Sequence, residues 1–206
     1  MSKIINTIIF IILSSSTPSS SSSYINIPKI LLLSHDFKLA SHEFLSADIT
    51  DINSKIELTV FVPEDHAFGD ASRYKTLPIE NKYFVLRCHM VSDYLSPSLL
   101  LQTAKVWHLE ATMGTTIMGN NKYMMNITLQ GNGSIEVSNQ FVRGLVTRTI
   151  YDHSPIAMYG ITKVLLPRDL PDIAPPPQKT ADGSSATVCG FQFFSILLFY
   201  FLVLWI

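Results

Sequence analysis

Residues 58–68 read Leu-Thr-Val-Phe-Val-Pro-Glu-Asp-His-Ala-Phe. Leu58 to Val62 form a short β-rich run, and Pro63 closes it. Glu64 and Asp65 follow the proline. Acids at that place suit the start of a short helix, where they cap free amides and meet the positive end of the dipole. The stretch is read as a strand that turns directly into a helix.

Upstream, Leu33, Phe37, Ala40, Phe44 and Leu45 recur at helical spacing, and Ser34 is the expected N-cap. Downstream, a second helix is expected from about Glu80 to Met90. After Gly114 the character turns to strands. Tyr123 to Gln130 alternates, with Met125, Ile127 and Leu129 on one face and Asn126, Thr128 and Gln130 on the other. Gly131-Asn132-Gly133 then offers a turn, and Ile135 and Val137 return on the inner face. Alternation on both sides of such a junction predicts a hairpin. Asn126-Ile127-Thr128 and Asn132-Gly133-Ser134 are N-glycosylation acceptor tripeptides. Asn126 and Asn132 are therefore candidate modification sites.

The two ends have a different character. The chain of 206 residues is 47% hydrophobic and only 15% charged, against about 25% charged in ordinary soluble proteins. Much of the excess lies at the termini. Residues 188–206 contain only Gly190, Gln192 and Ser195 outside the apolar class. Upstream of them stand Asp182-Gly183-Ser184-Ser185-Ala186. Small residues, a spacer and an apolar tail are the pattern of a glycosylphosphatidylinositol anchor signal. Ser184 is the expected attachment residue, with Asp182 or Gly183 as neighbours that fit, and 185–206 would be removed. A retained spanning helix is the alternative. At the other end Lys3 precedes the apolar stretch Ile4 to Leu13 and a serine tract. This predicts a signal peptide over 1–23. Ala174-Pro175-Pro176-Pro177 lies within 168–184 and reads as a stiff stalk. Between these segments, 29–167 is the expected domain. The layout implies the outer face of the plasma membrane, with the lipid anchor as its membrane contact.

Fifteen basic residues against sixteen acidic ones exclude nucleic acid as a main partner, since phosphate neutralisation needs a basic excess. No catalytic constellation stands out. His42-Glu43 begins a zinc-protease pattern, but Ser46 takes the place of the second histidine. There is no nucleophile elbow and no phosphate loop. No metal and no cofactor are expected. An extracellular hydrolase with a site of another kind would need a clustered polar set with shifted pKa values.

Three ordered blocks resemble those of the fasciclin domain. Thr59 to Phe68 is similar to the family's TVFAPTDxAF. Leu86 to Ser96 is similar to its Tyr-His block, LxYHVxxxYxS. Ile161 to Pro167 is similar to its closing IDKVLLP. The layout with signal, stalk and anchor resembles plant fasciclin-like arabinogalactan proteins. The resemblance implies an α+β fold, a single domain with a β-sandwich or wedge and helices packed on it. It implies adhesion or cell-wall organisation without catalysis. The partners implied are cell-wall polysaccharide, other surface glycoproteins or a second copy of the chain. His89, Tyr94 and Ser96 match the Tyr-His block and are the candidate binding residues, while Cys88 replaces its tyrosine. His89 also has a structural reading, as a buried histidine bonded to backbone, because its surroundings are apolar. A membrane-anchored ligand-binding or signalling co-receptor is the alternative function.

Overall fold

The Leu58–Pro63 run is a strand, and all six of its residues are buried. The computed structural model describes residues 24–53, 55–119 and 121–171. The expected signal peptide, most of the stalk, and Asp182, Gly183, Ser184 and the apolar tail lie outside these residues. Among the described residues no helix is long and apolar enough to cross a membrane.

The chain begins with β1 (Tyr24–Asn26), α1 (Ile27–Leu32), α2 (Lys38–Ser46) and β2 (Asp51–Asn53). Next come β3 (Leu58–Pro63), α3 (Asp65–Asp70), α4 (Ser72–Lys75), α5 (Ile79–Arg87) and β4 (Met90–Val91). The second half holds α6 (Pro97–Val106), β5 (His108–Glu110), α7 (Met113–Met118), β6 (Met125–Leu129), β7 (Ile135–Ser138), β8 (Arg143–His153) and β9 (Ile156–Ile161). A seven-stranded sheet runs β4-β3-β9-β8-β7-β6-β5, and β1 pairs with β2 apart from it. The expected α+β fold is what the chain adopts.

One pairing explains why the first and last sequence blocks stand so far apart. β3 runs parallel to β9, with Leu58 opposite Ile156 and Pro63 opposite Ile161. Parallel strands are covered on both faces, and both strands are buried throughout. Leu58, Val60 and Val62 face a core shared with Phe37 and Phe44 of the opening segment and with Val85 and Leu86 of α5. Phe61 faces the other way, with Tyr159, Ile127, Val137 and Leu100 of α6. The long β8 joins the two halves of the sheet, pairing with β7 through Arg143–Leu145 and with β9 from Val146 onward. Its two register shifts, between Val146 and Arg148 and between Thr149 and Tyr151, bend it. The second core is thus enclosed between two arms of one sheet, a wedge. Each fully buried large apolar side chain contributes roughly 1.5–3 kcal/mol.

Several local expectations change. Ser34 does not cap the opening helix; it follows α1, while α2 begins at Lys38 after Asp36 takes a left-handed backbone. Phe37, Ala40 and Phe44 are fully buried, but Leu33 and Leu45 are exposed. Asp65 does not cap its own helix. Its carboxylate accepts from Lys38 N at 3.2 Å and Leu39 N at 2.8 Å, at the start of α2. The second helix stops at Arg87, with Cys88 as its C-cap, and Met90 already pairs in β4. The stretch after Gly114 first completes α7, whose N-cap Thr112 forms a capping box with Thr115. The hairpin is present, with Leu129 opposite Ile135 and Asn126 opposite Ser138. Folded structure also extends to both sides of 29–167. Ile27 is fully buried in the core that holds Phe37 and Phe44, and Arg73 donates to the carbonyls of Pro167 and Arg168.

Candidate functional site

The Tyr-His block spans the end of α5, β4 and the start of α6. His89 is fully buried. Its Nδ1 lies 2.8 Å from the Val85 carbonyl, and its Nε2 accepts from Leu165 N at 2.9 Å. A carbonyl can only accept, so the ring is neutral with its proton on Nδ1. Burial pushes its pKa down to about 4, against the opposing pull of the Val85 bond. His89 therefore ties α5 to the closing Ile161–Pro167 block and presents nothing to solvent. Cys88 beside it is a buried free thiol, and burial pushes it up to about 12. Its Sγ sits so close to Gly114 that a Cβ there would approach within 2.5 Å.

Tyr94 and Ser96 lie nearer the surface. The Tyr94 hydroxyl donates to Asp152 Oδ1 at 2.7 Å. That bond raises the phenol pKa, with lesser effects of burial and the Asp152 charge. Ser96 caps α6, accepting from Leu99 N at 3.3 Å. The backbone between them is held by Thr59. Its buried hydroxyl donates to Asp93 O at 2.7 Å and accepts from Leu95 N at 2.8 Å. Thus the threonine of the first block sets the position of the second.

Beside Tyr94 opens a cleft of about 560 Å³, lined in part by Glu57, Asp93, Glu110, Leu99 and Val106. Burial raises the Glu110 carboxyl pKa, His108 opposes this, and Asp93 adds to it. The cleft mixes carboxylates with apolar side chains. Among the described residues no group of three His, Cys, Asp or Glu could hold a metal ion. The structure brings Tyr94 to this cleft but leaves His89 in the core, so the three candidate binding residues do not form one surface. Glu57 and Glu110 are acids that sequence spacing did not single out; separated by more than fifty residues, they meet only as parts of one folded lining.

The hairpin carries the second feature. Asn132 is exposed at the turn, and its Oδ1 accepts from Ser134 N at 3.0 Å. Asn126 is half-buried and sits at the floor of a groove of about 750 Å³. Strand alternation places Met124, Thr128 and Gln130 on the same side as Asn126. Register places Leu109 of β5 and Ser138 of β7 directly across from it. Trp107, with a left-handed backbone at φ 53°, lines the groove and is 66% exposed.

Comparison with known proteins follows the same span. The fasciclin domain family model matches residues 37–167. Fasciclin-like arabinogalactan protein 4 of Arabidopsis thaliana is 32% identical over 168 residues, covering 75% of this chain and 40% of that protein. Fasciclin-like arabinogalactan protein 11 of the same plant is 26% identical over 170 residues, covering 77% of this chain and 67% of its own length. The chain thus spans less than half of the first of these relatives. Among solved structures, the domain pair of the insect cell adhesion molecule fasciclin I superposes with a TM-score of 0.50 at 16% identity. That match covers 64% of this chain and 45% of the other, and it supports the fold alone.

Proposed function

The chain belongs to the fasciclin domain family, and from that premise we propose that it is a non-catalytic adhesion module of the cell surface. The observation that carries this reading is the family match, which runs from the opening helix to the closing block. The partner is cell-wall polysaccharide, another surface glycoprotein or a second copy of the chain. Tyr94 and its acidic cleft form the contact, with Ser96 and His89 holding the surrounding backbone in place. The dispersal of the histidines supports a non-catalytic role: His35, His42, His66, His108 and His153 are exposed on separate segments, and His89 is locked in the core. The end segments support export, glycosylation at Asn126 and Asn132, and a lipid anchor attached near Ser184.

The direct test is binding of the purified glycoprotein to immobilised cell-wall polysaccharides and to itself. Tyr94→Ala should weaken whichever interaction is found by tenfold or more while leaving the fold intact. Absence of any binding at high micromolar concentration ends the adhesion reading. Release of the native protein from membranes by a phosphatidylinositol-specific phospholipase tests the anchor; a mature chain still ending in Trp205-Ile206 ends that part. The co-receptor reading is favoured by the concavity of the Tyr94 cleft and its three carboxylates, which suit a cationic ligand. Saturable binding of a basic peptide without polysaccharide binding would select it.

A further inference from the structure

The groove across β5, β6 and β7 lies away from the Tyr-His block, and its composition is unusual for a solvent-facing sheet. Its floor is polar: Asn126, Thr128, Gln130, Glu136 and Ser138. Apolar surface meets this floor uncovered. Leu109 is 46% exposed directly opposite Asn126, Trp107 is 66% exposed, and Phe141 is 51% exposed on the same lining. Trp107 also holds a left-handed backbone, a conformation unfavourable for a non-glycine residue. Two amides here are not fully used by the protein. Asn126 Oδ1 and Asn139 Nδ2 are buried without hydrogen-bond partners. Both atoms are closed off from solvent, so neither is offered to a ligand lying in the groove. A polar floor beside an indole face is the chemistry that suits a pyranose ring, with apolar C–H on its faces and hydroxyls on its rim.

The acceptor tripeptide itself forms part of that floor. Asn126 and Thr128 both face the groove, separated by the inward Ile127. A sugar joined to Asn126 Nδ2 therefore starts inside the groove. Asn132 differs, since it sits at the hairpin turn beyond the end of the strands.

We infer that the N-linked glycan of Asn126 lies along this groove and covers Trp107 and Leu109, so that the glycan is a built-in layer of the fold on this face. The inference rests on the reading that the chain is exported. In the transfer step Asn126 Nδ2 bonds to C1 of the first sugar of a lipid-diphosphate-linked oligosaccharide donor. The C1–O bond to the diphosphate breaks, the lipid diphosphate leaves with the bonding pair, and the amide proton passes to a base of the transferase. Asn132 takes a glycan by the same chemistry but projects it into solvent. The Asn126 face is then closed to outside partners, which leaves the Tyr94 cleft as the contact surface.

The test uses the full chain, produced in a eukaryotic secretory host, carrying Trp205→Phe so that Trp107 is the only indole. Glycopeptide mass spectrometry reads occupancy at each site, and acrylamide quenching reads access to Trp107. The expected result is occupancy of Asn126 and a Stern–Volmer constant at least twofold lower than in the Asn126→Gln variant. Asn132→Gln should leave quenching unchanged. Thermal melting of Asn126→Gln confirms that its fold persists, and Thr128→Ala, which removes the acceptor while keeping Asn126, should reproduce its quenching. Occupied Asn132 with bare Asn126 overturns the inference and leaves export standing. Equal quenching with and without the Asn126 glycan also overturns it. Protection that instead follows protein concentration gives the groove to a second copy. No occupancy at either site, with residues 1–23 retained, overturns the export reading and this one with it.

Discussion

Asp65 caps a helix that is not its own. Its carboxylate binds the amides of Lys38 and Leu39 at the start of α2, although Asp65 is the first residue of α3. Asp65 N in turn donates to the Asp36 carbonyl at 2.8 Å. The two helix starts are thereby stapled together across more than twenty residues. Loss of an N-cap costs about 0.5–2 kcal/mol. Asp65→Ala should lower stability by about 1–2 kcal/mol in urea melts, and Asp65→Asn by less. No change would mean that α2 is held by packing of Phe37 and Phe44 alone.

His89 gives the domain a pH dependence. Unfolded, its imidazole takes a proton near pH 6.5; folded, only near pH 4. Between those values the unfolded chain binds more protons, so stability falls as the pH drops through this window. The slope reaches about 1.4 kcal/mol per pH unit and the loss levels off near 3 kcal/mol below pH 4. His89→Leu should remove this component of the slope. It should also cost about 1–3 kcal/mol at neutral pH, because Leu165 N–H is left buried and unpaired. An unchanged slope in the variant would assign the pH response to other groups.

Thr59 carries two bonds on one hydroxyl. Thr59→Val keeps the shape but strips the partners from Leu95 N and Asp93 O. The expected loss is about 1–3 kcal/mol. Amide exchange at Leu95 should speed up more than exchange in β9, since the bond is local to the Tyr94 segment. Uniform acceleration across the sheet would refute a local role.

Gly160 is a packing requirement. A Cβ there would stand 2.8 Å from the Phe37 ring and 2.7 Å from Thr147 Oγ1. The Phe37 ring also carries the Arg148 guanidinium, 4.9 Å from its centroid. Gly160→Ala should destabilise by about 1–3 kcal/mol through overpacking. Gly69→Ala in α3 meets nothing within 4 Å and should stabilise by about 0.4–1 kcal/mol. Equal effects of the two changes would show that the Phe37 contact yields easily.

What the sequence disclosed was mostly local. Alternation from Met125 to Leu129 and the Gly131-Asn132-Gly133 turn announced the hairpin, because strand period and turn chemistry act over neighbouring residues. The run at Leu58–Val62 announced a strand for the same reason. Ser34 misled because the cap of α2 comes from Asp65, and capping from a distant residue leaves no local pattern. The helix expected to reach Met90 ends at Arg87 because Met90 pairs with Val60, a tertiary contact that overrides helical spacing. The apolar setting of His89 hinted at burial, but its bond to Leu165 depends on the closing block. The Tyr94 cleft and the groove at Asn126 were hidden because their walls come from α6, β5 and β7, which only the folded sheet assembles.

The parallel pairing of β3 with β9 also sets an order of events. A chain made from its N-terminus completes β3 roughly 100 residues before its partner exists, and such a long closure is slow. Until Ile156–Ile161 emerges, the core behind Phe61 has no Tyr159 or Ile161 to face it. Asn126 leaves the ribosome within that interval. Its acceptor amide is presented on an open, unassembled strand, before the folded sheet confines it to the floor of a groove. If the chain is exported and modified at Asn126 as proposed, the late arrival of β9 is what gives the modifying enzyme its time.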